Sequence, residues 1–157
     1  MSPTTTTNET QPLWFLANLA VIHARSEETN GAYGVVEMTG AKGDMPPLHV
    51  HRDDDEAFYV LEGRLRVYVG DVVRELGPGD FALAPRGIPH VYEVVSDEPA
   101  RWLALSNGGF DAFVEEVSVP AEQHSLPPTV QGPDPELLRE IAARHGIELL
   151  GPPGTRP

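Results

Sequence analysis

An all-β fold is predicted from three features of the sequence. Apolar residues come in short runs, the runs are cut by Gly, Pro, Asn and Asp signals, and in the clearest run apolar and polar side chains alternate with period two. The punctuation falls at Thr29-Asn30-Gly31, residues 40–47, Gly70-Asp71, Gly77-Pro78-Gly79-Asp80 and residues 96–99. Leu65, Val67 and Val69 share one face against Arg64, Arg66 and Tyr68. Gly70-Asp71 and a second run over residues 72–76 then complete a hairpin, with Gly70 supplying the positive φ of a II′ turn. The rhythm fits a sandwich and a closed barrel equally well, closure having the advantage of removing exposed edges.

The remaining elements follow in chain order. Residues 1–11 read as a disordered leader, since a Thr, Asn and Glu mixture offers little apolar surface to offset the entropy of ordering. After Gly109, Phe110, Phe113 and Val114 fall at helical spacing and predict a short helix capping the β domain, followed by a Pro-containing connector over residues 119–132. A second helix carries stronger signals. Asp134 is its N-cap, Pro135 its first position, Leu137, Leu138 and Ile141 its apolar stripe, and Gly146 its stop. This helix is expected on the outer wall, and the Gly- and Pro-rich tail, residues 151–157, reads as irregular.

Composition narrows the function classes. The 157 residues, 40% of them hydrophobic, suit one core, and no internal repeat suggests a second. Eleven Lys and Arg against 24 Asp and Glu leave a net charge of -13, which repels nucleic acid and anionic membranes. Cysteine is absent, so a metal would be held by nitrogen and oxygen, and the cytoplasm is the default compartment. No signal peptide and no long apolar run is visible, which argues against secretion and membrane spanning.

The chemistry concentrates in His49, His51, Glu56 and His90. On a strand, residues two apart share a face, so His49 and His51 present both imidazoles together while Val50 points away. Residues 52–55 suit a turn, after which Glu56, Phe58 and Val60 share a face, so Glu56 could fold back beside the histidines across a hairpin. His90 begins another run with Tyr92 and Val94 on its side. Three nitrogens and a carboxylate suit one divalent transition metal (Fe, Ni, Co, Mn, Cu or Zn) better than Ca or Mg. Phe58, Phe81, Tyr92 and Trp102 are expected to face the site, as substrate pocket or as core. The Asp53-Asp54-Asp55 run reads as solvated rather than as a calcium site. His23, His124 and His145 read as structural, and Gly63, Gly79 and Gly87 as turn residues.

The spacing Gly43-x5-His49-x-His51-x4-Glu56-x6-Gly63 resembles the first motif of the cupin superfamily at every position, and Gly79-x5-Pro85-x-Gly87-x2-His90 resembles the second. Val94 stands where that family often has Asn, a residue that is not a ligand. The resemblance covers roughly residues 30–106 and implies a double-stranded β-helix (jelly-roll) barrel; the barrel domain is expected over residues 12–118, with residues 119–157 as connector, helix and tail packed on it. It also implies a metal inside, held by His49, His51, Glu56 and His90. Homodimerisation is a further expectation from this resemblance. More narrowly, Trp14-Phe15-Leu16, Pro47-Leu48-His49-Val50-His51 with the acidic stretch before Glu56, and Gly109-Phe110-Asp111-Ala112-Phe113 resemble small quercetin 2,3-dioxygenase-like cupins. That likeness implies a metal-dependent dioxygenase acting on a small aromatic or enolic substrate with dioxygen, in which Glu56 is both ligand and proton shuttle. A metal-dependent isomerase or cyclase, and a non-catalytic small-molecule-binding cupin, are the alternatives the same ligands allow.

Overall fold

Alternating burial builds two antiparallel sheets that face each other in the computed structural model, which describes residues 10–157. Of the leader expected over residues 1–11, positions 1–9 lie outside the described residues. The strands are β1 (Leu13–Phe15), β2 (Asn18–Ala24), β3 (Gly34–Gly40), β4 (Pro47–His51), β5 (Glu56–Glu62), β6 (Leu65–Val69), β7 (Val72–Leu76), β8 (Phe81–Ala84), β9 (His90–Val94), β10 (Ala100–Ser106), β11 (Val119–Pro120) and β12 (Ile147–Pro153). The first sheet runs β11-β1-β2-β3-β10-β5-β8 and the second β12-β4-β9-β6-β7. The central pairing, β3 against β10, keeps unbroken register from Gly34↔Ser106 to Gly40↔Ala100.

The core lies between the sheets. Val36, Met38, Phe58, Val60, Trp102 and Ala104 come from the first sheet, and Leu65, Val67, Tyr92 and Val94 from the second. Each set occupies alternate positions on its strand, as a half-buried sheet requires. This is the jelly-roll arrangement, and it decides the question that sequence rhythm left open. The β6–β7 hairpin forms as expected. Val69 pairs with Val72, and Gly70 takes φ 55° at the first of the two turn positions. Gly63, between β5 and β6, takes φ 73°, and a Cβ there would sit 2.7 Å from the Ala100 Cα.

Two helices cover one end of the barrel, α1 (Phe110–Val117) and α2 (Pro135–Arg144). The Asp134 carboxylate accepts from the backbone N–H groups of Glu136 and Leu137, and Pro135 opens α2. Leu138, Ile141 and Ala142 are its buried residues. Leu137, expected in the apolar stripe, is 42% exposed: the helix is rotated so that Ala142 takes the buried place. The tail requires a larger correction. Residues 151–153 are not irregular but complete β12, which lies antiparallel to β4 with Ile147↔His51 and Leu149↔His49. Beyond it, the Arg156 guanidinium sits 5.1 Å from the centre of the Tyr68 ring on the outer face of the second sheet. Among the described residues no helix is long and apolar enough to cross a membrane.

Candidate metal centre

His49 and His51 stand two apart on β4, so the period of the strand turns both inward. His90 opens β9, hydrogen-bonded beside β4, and pairs directly with His49. Glu56 opens β5, which belongs to the opposite sheet. The expected hairpin therefore does not exist. Residues 52–55 form a corner between sheets, and Glu56 reaches the imidazoles across the barrel interior. Ligand atoms of all four residues lie within 4.8 Å of one another. His51, Glu56 and His90 are buried, and His49 is the most accessible of the four.

The outer nitrogens of the three rings are committed elsewhere. His49 Nδ1 lies 2.7 Å from the Pro47 carbonyl, His90 Nδ1 3.3 Å from the Ile88 carbonyl, and His51 Nδ1 3.0 Å from Asp54 Oδ2. Carbonyls and carboxylates only accept, so each Nδ1 carries the proton and each Nε2 faces inward. Inside, Glu56 Oε2 lies 2.9 Å from His90 Nε2, 3.0 Å from His51 Nε2 and 3.9 Å from His49 Nε2. His51 Nε2 is close to that oxygen but not directed at it, and it has no hydrogen-bond partner although it is fully enclosed. Nε2 atoms gathered around a carboxylate need positive charge between them, which a proton supplies in the metal-free protein and a metal ion would supply in its place. Ligands at bond lengths of roughly 2.1 Å and right angles are about 3 Å apart, close to the separations found between Glu56 and its two nearest rings. The donor set fits one transition-metal ion.

The electrostatics make the same demand for positive charge. Burial disfavours a charged His51, but the Glu56 and Asp54 carboxylates outweigh it and raise its pKa to about 10. Burial likewise opposes ionisation of Glu56, and His51 with the other two rings overcomes it, holding the carboxyl well below its usual range. His49 is shifted down, by burial and then by its neighbour His90.

Asp54 corrects the expectation that residues 53–55 form a solvated run. It is 3% exposed, and its Oδ2 accepts from His51 Nδ1 and, at 2.7 Å, from the Ser106 hydroxyl. The other two stay at the surface: Asp53 is exposed and Asp55 pairs with Arg86. An outer carboxylate of this kind fixes the tautomer and orientation of a ligand ring, so Asp54→Ala is expected to weaken divalent-metal affinity by roughly 10- to 100-fold, measured by competition with a chromophoric chelator.

A cavity of about 50 Å³ opens against His49, His51 and Glu56. Phe58 and Tyr92, both expected at the site, line it. Trp102 does not: it is buried behind Tyr92, with ring centres 4.7 Å apart, as core. Phe81 is the clearest misplacement. It is 51% exposed, because β8 turns Ala82 and Ala84 inward and its larger residues outward. Sequence reasoning missed Phe110 and Phe113 of α1, Leu138 of α2, and Ile147 and Leu149 of β12 as cavity walls. The alternation Ile147-Glu148-Leu149 was the available signal for β12. The Tyr92 hydroxyl donates to Asp44 Oδ2 at 2.9 Å, and burial together with Asp44 lifts its pKa well above the ordinary value.

The cupin domain family matches residues 36–106. Quercetin 2,3-dioxygenase of Bacillus subtilis (strain 168) is 34% identical over 129 residues, taking in 82% of this chain and 37% of that protein. The chain thus spans little more than a third of that relative's length. Among solved structures, a Thermotoga maritima protein described as a predicted oxalate decarboxylase aligns with TM-score 0.59 at 18% identity, over 62% of this chain and 92% of that one. A sugar phosphate isomerase of the cupin superfamily from Silicibacter pomeroyi aligns with TM-score 0.50 at 23% identity, over 57% and 59%. At such identities these structures speak to the fold alone. With two facing antiparallel sheets, two histidine motifs at fixed spacing and these relatives, the chain belongs to the cupin superfamily, its cupin domain matching over residues 36–106.

Proposed function

We propose that this protein is a metal-dependent dioxygenase that opens a small aromatic or enolic substrate with dioxygen. The observation that carries the reading is the convergence of three imidazoles and one carboxylate, of which His49, His51 and Glu56 line a largely apolar cavity, in a chain 34% identical to a quercetin 2,3-dioxygenase over 82% of its own residues. When bound, a divalent transition metal would supply Lewis acidity toward the substrate oxygens. The protein's own groups do the rest. His49, His51 and His90 are held by their Nδ1 hydrogen bonds so that Nε2 can ligate. Phe58, Phe110 and Phe113 exclude water from the reacting end, which strengthens every charge interaction there. Glu56 takes the hydroxyl proton of the substrate at a carboxylate oxygen. Held ionised among the three rings, Glu56 carries no proton, and it becomes a stronger base as it moves away from the rings that lower its pKa.

Oxygen uptake tests the reading. Protein loaded separately with Mn, Fe, Co and Ni is expected to consume dioxygen with quercetin or a β-diketone. Glu56→Gln, close in shape but unable to accept the proton, is expected to lower kcat by about 10²- to 10⁴-fold. No uptake with any of the four metals, or an unchanged kcat in the variant, would contradict it.

A further inference from the structure

A cavity of about 50 Å³ holds only a few water molecules, whereas sites for drug-sized ligands typically span about 300–1,000 Å³. The inner cavity therefore accommodates the reacting end of an aromatic substrate and not the whole. A second chamber of about 500 Å³ lies directly beside it, and the two share Leu16, Leu138, Leu149 and the Pro46-Pro47 pair as common walls.

Three features of the outer chamber point to a ligand. The first is Leu16. It occupies the two-residue turn between Phe15 and Asn18 with φ 55°, a left-handed conformation that favours Gly or Asn and costs other residues about 1–2 kcal/mol. The connector holds it there: the Gln131 N–H donates to the Leu16 carbonyl at 2.9 Å, and a Cβ on Gly132 would lie 2.9 Å from Leu16 Cδ2. A bulky apolar residue kept where glycine would relax the backbone is accounted for by its side chain, which stands between the two chambers. The second feature is the wall. Pro46, Pro47, Pro133, Pro135, Pro152 and Pro153 line the chamber with rigid apolar surface that offers no N–H donor, suited to the flat face of an aromatic ring. The third is Arg139, which contributes to the lining and, unlike most arginines here, has no carboxylate within 4.0 Å among the described residues.

We propose that the outer chamber is a second subsite of the metal centre. It takes the distal ring of an aromatic substrate whose enolic end occupies the inner cavity, with Arg139 recognising an anionic or acidic hydroxyl group on that ring and Leu16 as the movable partition. The substrate class rests on the dioxygenase reading above; the division of one ligand between two chambers rests on the geometry.

Calorimetric titration of metal-replete protein with acetylacetone, quercetin and quercetin 3′-sulfate tests this. Acetylacetone has no distal ring, so Arg139→Gln is expected to leave its affinity unchanged and to weaken the sulfate by roughly three- to ten-fold. Stopped-flow binding is expected to show quercetin associating about ten-fold faster with Leu16→Gly. The subsite is overturned if neither flavonol binds, if Arg139→Gln leaves the sulfate unchanged, or if quercetin associates with Leu16→Gly at the wild-type rate. Arg139-dependent binding without oxygen uptake upholds the subsite and rejects the dioxygenase. Oxygen uptake with a quercetin sulfate KM indifferent to Arg139 does the reverse.

Discussion

His51→Ala is expected to abolish stoichiometric metal capture and, separately, to destabilise the metal-free protein. The first effect removes an inner ligand, so the affinity loss exceeds the roughly 10- to 100-fold range of an outer-sphere change. The second follows from what His51 touches. It is 1% exposed and stands between two buried carboxylates, Asp54 at 3.0 Å and Glu56 at 3.0 Å. Without it, Asp54 keeps only the Ser106 hydroxyl and Glu56 chiefly His90. Removing one partner from a buried ion pair costs about 3–5 kcal/mol, because a charge is left in a medium that solvates it poorly. His49→Ala provides the contrast. Its Nδ1 partner is a backbone carbonyl and its side chain is partly exposed, so affinity falls with a smaller change in stability. Urea unfolding of the two metal-free variants, with metal titration of each, separates the effects. Equal stability losses would show that His51 does not carry the paired carboxylates.

Trp102→Ala is expected to cost about 3–5 kcal/mol, a large part of the roughly 5–15 kcal/mol that holds a domain of this size. Trp102 is 1% exposed, pairs with Met38 and Val60 on the two flanking strands, and packs edge-on against Tyr92. Alanine would leave a void between the sheets that neighbours on three strands cannot close. Trp102→Phe fills most of that void and should cost far less, with metal affinity intact because the side chain does not border the metal cavity. Thermal unfolding checks the first expectation and chelator competition the second. A Trp102→Phe protein as stable as wild type but unable to hold metal would return this residue to the site.

The ligands were legible because strand period is a strong constraint: two histidines two apart must share a face, and the motif spacing supplied Glu56 and His90. Their topology was not, since the polar stretch over residues 52–55 reads the same in a hairpin as in a corner between sheets. Asp54 was hidden for a related reason. In a run of three aspartates nothing local distinguishes the one that turns under His51 from those facing water. β8 was misphased because Phe81-Ala82-Leu83-Ala84 is apolar at every position, so period two has no contrast to read and the small residues proved to be the buried ones. β12 escaped because Gly151, Pro152 and Pro153 weaken a strand signal. Proline is tolerated there because β12 is an edge strand with one hydrogen-bonded neighbour, β4.

The central claim is a single mononuclear centre inside the barrel, and diffraction at the absorption edge of the loaded metal, with X-ray absorption on the same sample, tests it most directly. The account predicts one anomalous peak per chain, within about 2.0–2.2 Å of the Nε2 atoms of His49, His51 and His90 and a Glu56 oxygen. A peak elsewhere, or the same first shell retained after all four residues are replaced, would contradict it.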